Sequence, residues 1–295
     1  MPRPAEQQQR PPAGAPIRVH THAERGISYL QAGASGPPIV MLHGWGAFKE
    51  LWWSTLRRLG RQFRCFALDI PGHGESPIGR ATTMTALAET VAAFCDDLNL
   101  SRIVLMGHSM GGSVACELTL RRTDLVERLI LVDAAVDPHL MPSFARTYLL
   151  PLNGWTLFRL MLLGARIASP IGALVPHDHG GGWLRPWLRR GSYLAYFDPE
   201  PLYLLYRSLF ATRAGETLRQ IAVPTLVISG QFDSVVPPRH SRRIARTIPG
   251  ARYVEIQGAL HNPMDERPRA FEEAVLAFLA EAHAPHHPER VAHSQ

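Results

Sequence analysis

The feature that most restricts the fold is the alternation of short runs rich in Val, Ile and Leu with stretches of helical periodicity. The runs fall at residues 38–42, 65–69, 102–106, 128–132, 225–229 and 253–256. Strands buried on both faces read as continuous apolar runs, and strands that alternate with helices form a parallel sheet covered on both sides. The pattern predicts an α/β protein with a mostly parallel, doubly wound sheet. Between the second and third runs, Met84, Leu87, Ala88, Val91, Phe94, Cys95 and Leu98 recur at helical spacing and form one apolar stripe. Upstream, residues 18–22 and 27–31 flank Glu24-Arg25-Gly26, a loop suited to a hairpin, and predict two antiparallel edge strands.

The alternation stops near Ala135 and resumes near Ile221. The segment between holds Tyr148, Trp155, Trp183, Trp187, Tyr193, Tyr196, Tyr203 and Tyr206, with apolar residues at helical spacing around 157–163 and 202–210. It is too long for a loop in a compact domain, so it predicts an inserted helical subdomain. The expected division is a core of residues 17–136 and 217–282, a helical cap at 137–216, and disordered tails at 1–16 and 283–295. The first tail is rich in Pro, Gln, Arg and Ala and lacks the apolar centre of a secretory signal, and the second is rich in His, Pro and Ala.

Composition excludes several classes. Hydrophobic residues make up 46% and charged residues 19% of the chain, which rules out disorder across its body. The net charge of +6 rests almost wholly on arginine, Lys49 being the only lysine. Pairs such as Arg57-Arg58, Arg121-Arg122, Arg189-Arg190 and Arg242-Arg243 are scattered, whereas a nucleic-acid footprint clusters on one face. The most lipophilic stretch, residues 148–176, is broken by Asn153, Arg159, Arg166 and Pro170, so no transmembrane segment is expected. Cys65, Cys95 and Cys116 lie in apolar stretches without metal-ligand spacing; they predict buried free thiols and a reducing, cytoplasmic setting.

Two segments carry chemistry. Gly107-His108-Ser109-Met110-Gly111-Gly112 lies directly after a strand and before the helical run 113–120. A nucleophilic serine needs a strained strand-to-helix turn that exposes its hydroxyl, and small residues two positions to either side let the backbones approach. His43-Gly44-Trp45-Gly46 follows the first parallel strand. Acyl transfer develops negative charge on a carbonyl oxygen, and the main-chain N–H groups of Met110 and Trp45 are the candidate donors that would stabilise it. The Trp45 indole is equally read as a packing group whose amide still donates.

With Asp69-Ile70-Pro71-Gly72-His73-Gly74-Glu75-Ser76, these segments resemble signatures of the α/β-hydrolase superfamily, in the usual order and over about residues 18–282. The fold rule for the remaining triad members asks for an acid and then a histidine, each just after a late strand. Asp233 follows run 225–229 in Gly230-Gln231-Phe232-Asp233, and His261 follows run 253–256 through Gln257-Gly258-Ala259-Leu260; both loops are similar to the family's acid and histidine loops. His261 is then the expected base and Asp233 the acid that orients it. Asp133, after run 128–132, is the alternative acid. Asp69 is expected to order the His43 and His73 loops, and His73 and His108 to be structural. His177-Asp178-His179 reads as a solvated loop rather than a metal site.

The resemblance implies no cofactor and no metal, and a small-molecule ester as partner. Serine at the elbow separates the chain from dehalogenases and epoxide hydrolases, which place aspartate there. The elbow looks more like carboxylesterases and monoacylglycerol lipases than carbon-carbon hydrolases, where Gly-Asn-Ser is common. His43-Gly44-Trp45-Gly46 also resembles methyl-ester esterases acting on carrier-protein-bound acyl chains, and a catalytically idle receptor is a further alternative. From Asp137 to Gly215 there are eight arginines and four acids among many aromatics and leucines. Such a lid suits an apolar acyl chain with a basic rim for a carboxylate or phosphate; simple packing with solvated arginines reads the same composition equally well.

Overall fold

A computed structural model of the chain describes residues 14–137, 141–173, 194 and 197–281. Its sheet has eight strands: β1 (Ile17–His22), β2 (Ile27–Ala32), β3 (Pro38–Leu42), β4 (Arg64–Leu68), β5 (Ile103–His108), β6 (Val126–Val132), β7 (Thr225–Gly230) and β8 (Arg252–Ile256). They lie in the order β1-β2-β4-β3-β5-β6-β7-β8. The hairpin β1-β2 is antiparallel, with Ile17 opposite Ala32, and β2 meets β4 antiparallel; every later pairing is parallel. This is the expected mostly parallel sheet with an antiparallel edge.

The reason the strands read as unbroken apolar runs is visible in their alternation. Val40 and Leu42 of β3, with Ile103 and Leu105 of β5, face one apolar core, and Ile39, Met41, Val104 and Met106 face the other. Helices α1 (Trp53–Leu59) and α7 (Pro268–Ala280) cover the second face. Helices α2 (Met84–Asp97), α3 (Met110–Arg121) and α6 (Pro238–Thr247) cover the first. The predicted stripe of α2 is the buried one, from Met84 through Leu87, Ala88, Val91, Phe94 and Cys95. Each fully buried Leu, Val or Phe contributes about 1.5–3 kcal/mol relative to exposure. Thr83 caps the helix, its side chain accepting from Ala86 N at 3.1 Å.

At the start of the described residues, Ala15 N donates to Arg57 O at 3.0 Å and Ala15 packs on the second core. Strand β5 runs on through Gly107 and His108, which pair with Leu131 and Val132, so Ser109 follows the last paired residue directly. Between β6 and β7 the described residues hold a short 3-10 helix (Ser143–Leu149), α4 (Gly154–Ala173) and α5 (Pro199–Phe210). Phe158 and Leu162 of α4, Phe197 and Leu202 make a separate small core, against which Trp45 and Phe48 pack. Trp183, Trp187, Tyr193, Tyr196, the His177-Asp178-His179 run and residues 283–295 lie outside the described residues. Among the described residues no helix is long and apolar enough to cross a membrane. Cys65, Cys95 and Cys116 are free and buried.

Candidate active site

At the carboxyl end of β5 the chain reverses into α3 through Ser109, whose φ of 51° and ψ of −118° are unusual for a residue with a side chain. Main-chain bonds hold this turn from both sides: Ser109 N donates to Val132 O at 3.0 Å, and Ser109 O accepts from Gly112 N at 2.9 Å and Ala135 N at 3.0 Å. Gly44 is required by close approach, since a Cβ there would lie 2.9 Å from the Ser109 Cβ. The loop after β3 therefore sits directly against the elbow. Met110 is the first residue of α3, where helix N–H groups have no partner within the helix. Among the described residues, neither the Trp45 nor the Met110 main-chain N–H donates to a protein acceptor.

The loops after β7 and β8 converge. His261 Nδ1 lies 2.7 Å from Asp233 Oδ2. Asp233 Oδ1 accepts from Val235 N at 2.7 Å and Val236 N at 3.0 Å, so both carboxylate oxygens are engaged. Burial alone would raise the Asp233 carboxyl, but the charge and hydrogen bond of His261 and the amide donors hold it below the usual carboxylate range. Beside the elbow, His108 Nε2 is 2.8 Å from the His261 carbonyl oxygen and the two imidazole rings are 4.8 Å apart. The structure thus brings Ser109, Asp233 and His261 to one end of the sheet, with Trp45 and Met110 around the serine.

A model of the alpha/beta hydrolase fold matches residues 37–268. The chain belongs to the α/β hydrolase family. Among its relatives, pimeloyl-acyl-carrier-protein methyl ester esterase of Aeromonas salmonicida is 28% identical, over 83% of this chain and 96% of that one. A thermophilic esterase from Thermogutta terrifontis superposes with a TM-score of 0.69 at 27% identity, covering 88% of this chain and 96% of that one. The enol-lactonase of Burkholderia xenovorans superposes with a TM-score of 0.70 at 27% identity, covering 90% and 100%.

Within this hydrolase fold, the carboxylate bonded to His261 Nδ1 is that of Asp233, whereas Asp133 at the end of β6 accepts from Ser229 Oγ at 3.0 Å and Gly230 N at 3.1 Å. One donor atom each of Asp133, Asp233 and His261 lie within 4.8 Å of one another, a set a cation could use. The same carboxylates also accept hydrogen bonds, Asp133 from Ser229 and Gly230, and Asp233 from Val235, Val236 and His261.

Asp69 orders the His43 and His73 loops, as expected. It accepts from Lys49 N at 2.8 Å and Lys49 Nζ at 2.7 Å, at the end of the loop that begins with His43, and from Glu75 N at 3.1 Å, in the loop that holds His73. Gly74, with φ 54°, permits this, because a Cβ there would meet the Asp69 carboxylate. His43 is held separately, its Nε2 accepting from Ile70 N at 3.0 Å. His73 is buried, and burial followed by the nearby His43 pushes its pKa down to about 3, so it is neutral. The buried Lys49 is a structural role that the sequence reading missed; its one visible signal was being the only lysine in an arginine-rich chain.

Proposed function

We propose that this hydrolase cleaves carboxylic esters of apolar short-to-medium acyl groups through an acyl-enzyme. Ser109 attacks the carbonyl carbon, and His261 accepts its proton and later delivers it to the leaving alcohol. Asp233 holds the imidazole with Nδ1 protonated, leaving Nε2 to face the serine. The N–H groups of Trp45 and Met110 stabilise the oxyanion, aided by the positive end of α3. The observation that carries this reading is the 2.7 Å contact of His261 Nδ1 with Asp233 beside the strained Ser109 elbow.

Residues 137–216 serve in this proposal as a cap over the acyl group. Its support is the small aromatic core of α4 and α5, which closes against Trp45 next to the elbow. A second reading, hydrolysis of a methyl ester on a carrier-bound acyl chain, is favoured by the name of the Aeromonas salmonicida relative. A fluorophosphonate probe tests the core of the proposal: it should label Ser109 on folded protein, and Ser109→Ala should lose both labelling and turnover of p-nitrophenyl butyrate. An adduct on another residue, or turnover surviving in Ser109→Ala, overturns the assignment. A parallel assay of a pimeloyl methyl ester on a carrier protein separates the two substrate readings.

A further inference from the structure

The end of β6 holds an acid for which the proposed triad has no direct use. Asp133 is wholly buried, follows the last residue of β6 and takes a φ of 42°, while its N–H donates to Ile228 O at 2.9 Å. Its Oδ1 accepts from both Ser229 Oγ and Gly230 N, whereas Oδ2 receives only a longer branch from Gly230 at 3.3 Å. Facing it is Asp233, with two amides on Oδ1 and the imidazole on Oδ2. The two carboxyl groups and the His261 ring fall within the same 4.8 Å cluster.

Two ionised carboxylates this close in a buried site repel, so such a pair retains one proton. The surrounding donors decide which partner keeps it. Asp233 has the imidazole and two short amide bonds to support its charge. Asp133 has one hydroxyl and one amide, both aimed chiefly at Oδ1, which leaves Oδ2 as the protonated oxygen.

We propose that Asp133 is a neutral carboxylic acid that donates its proton to the Asp233 carboxylate, and that it is a positioning residue for the proposed reaction. The inference rests on the reading of Asp233 and His261 as triad members. Burial, and next the charge of Asp233, raise Asp133 well above the usual carboxylate range, in the same direction as the geometry. The other titratable groups around the pair are His261 after β8, His108 at the elbow, His240 on α6, which feels the Asp233 charge, and Tyr253 on β8, which reaches it through Ser229. Donation from Asp133 fixes the Asp233 carboxylate between the β6 and β7 loops and draws charge from it. Asp233 then orients His261 without over-stabilising the imidazolium.

The test is the pH profile of kcat/KM for p-nitrophenyl butyrate in wild type, Asp133→Ala and Asp133→Asn, together with infrared spectra at pH 7. Losing the donor in Asp133→Ala leaves a more basic Asp233, so the acid limb should move to higher pH and kcat should fall about tenfold. Asp133→Asn replaces the O–H donor by N–H and keeps the acceptor for Ser229 and Gly230; it should restore the limb and bring kcat back to within about threefold. The carbonyl stretch of a protonated carboxyl should be present in wild type and lost in Asp133→Asn.

Contrary outcomes are distinct. If Asp133 is ionised, Asp133→Asn removes a negative charge near His261, and the limb moves to lower pH with a large loss of activity; the proposal then fails. If both variants keep the wild-type limb, Asp133 only packs, and the positioning role fails. Activity that is lost on chelation and restored by a divalent cation puts a metal where the proton is proposed. The infrared band needs no substrate and does not depend on Asp133→Ala folding. Its persistence in Asp133→Asn overturns this inference alone, whereas absence of ester turnover in wild type counts against the proposed function.

Discussion

The indole Nε1 of Trp45 donates to the carbonyl of Leu202 at 2.7 Å, tying the loop after β3 to helix α5. The ring lies 5.8 Å from Phe158 and 5.1 Å from Tyr206, so the residue whose amide is proposed for the oxyanion hole has its side chain anchored among residues from between β6 and β7. Trp45→Phe keeps a ring but leaves the Leu202 carbonyl without this donor, a loss of about 1 kcal/mol, or roughly fivefold. The expected result is a fivefold fall in kcat/KM for butyrate and longer esters, with Ser109 labelling retained. An unchanged kcat/KM would show that the tie is irrelevant to the reacting geometry.

The tautomer argument makes Asp233→Asn the most damaging conservative change. An amide at this position can present its NH2 group to His261 Nδ1 and so favour the wrong tautomer, for a fall in kcat of about 10^4 in a serine triad. Circular dichroism should remain that of the wild type. Near-normal turnover would move the acid elsewhere.

Acyl-chain length gives the substrate reading a slope. Each added methylene that becomes buried should contribute up to about 0.8 kcal/mol, near fourfold in kcat/KM, until the pocket is full. A p-nitrophenyl series from acetyl to octanoyl measures it. A steady decline from acetyl onward would replace the apolar acyl group by a small polar ester or lactone.

Lys49 stands almost wholly inside the protein against Asp69, whose side chain has no exposure. Burial alone would lower the ammonium, but the hydrogen bond and charge of Asp69, then Glu50 and Glu75, hold it above its ordinary value. Lys49→Met strands the Asp69 charge, and breaking a buried pair on one side costs about 3–5 kcal/mol. Urea unfolding at pH 7 should show this loss, and Lys49→Met with Asp69→Asn should recover part of it.

Stability should fall on mild acidification. Burial pushes His240 down to about 4, and burial with the neighbouring His43 pushes His73 down to about 3. Unfolded histidines take up protons near pH 6.5, so below that point the unfolded chain binds more protons than the folded one. The stability these neutral imidazoles contribute is complete above about pH 6.5 and declines toward pH 4, by at most about 1.4 kcal/mol per unit for each. Denaturant midpoints at pH 7, 6 and 5 should drop in order, and His240→Gln should flatten the drop. Asp133 acts with the opposite sign: protonated in the fold and ionised when unfolded, its contribution diminishes as pH rises above about 4.

The order of strands and helices was legible in the sequence because it depends on neighbours in the chain. Strands buried on both faces must be apolar along their length, as Pro38–Leu42 and residues 103–106 are, and helix α2 must repeat its apolar residues at helical spacing. The Ser109 elbow was equally legible, because strand, glycines and helix adjoin it directly. Even the two late loops could be named, since Asp233 and His261 each follow a run that forms a strand.

Tertiary structure alone decided how these residues meet. Asp133 and Asp233 lie 100 positions apart and both follow strands; the loop after β7 meets the loop after β8 and gives Asp233 its His261 contact, whereas the pairing of β6 with β7 gives Asp133 its Ser229 contact. Lys49 meets Asp69 from the loop after β3, while Gly74 lets the loop after β4 close on the same carboxylate. The Trp45 indole packs against the aromatic residues of α4 and α5. Hydrogen bonds, buried charge and side-chain packing act through distance in space, and local propensity carries no record of which distant group a loop will bring within about 3 Å.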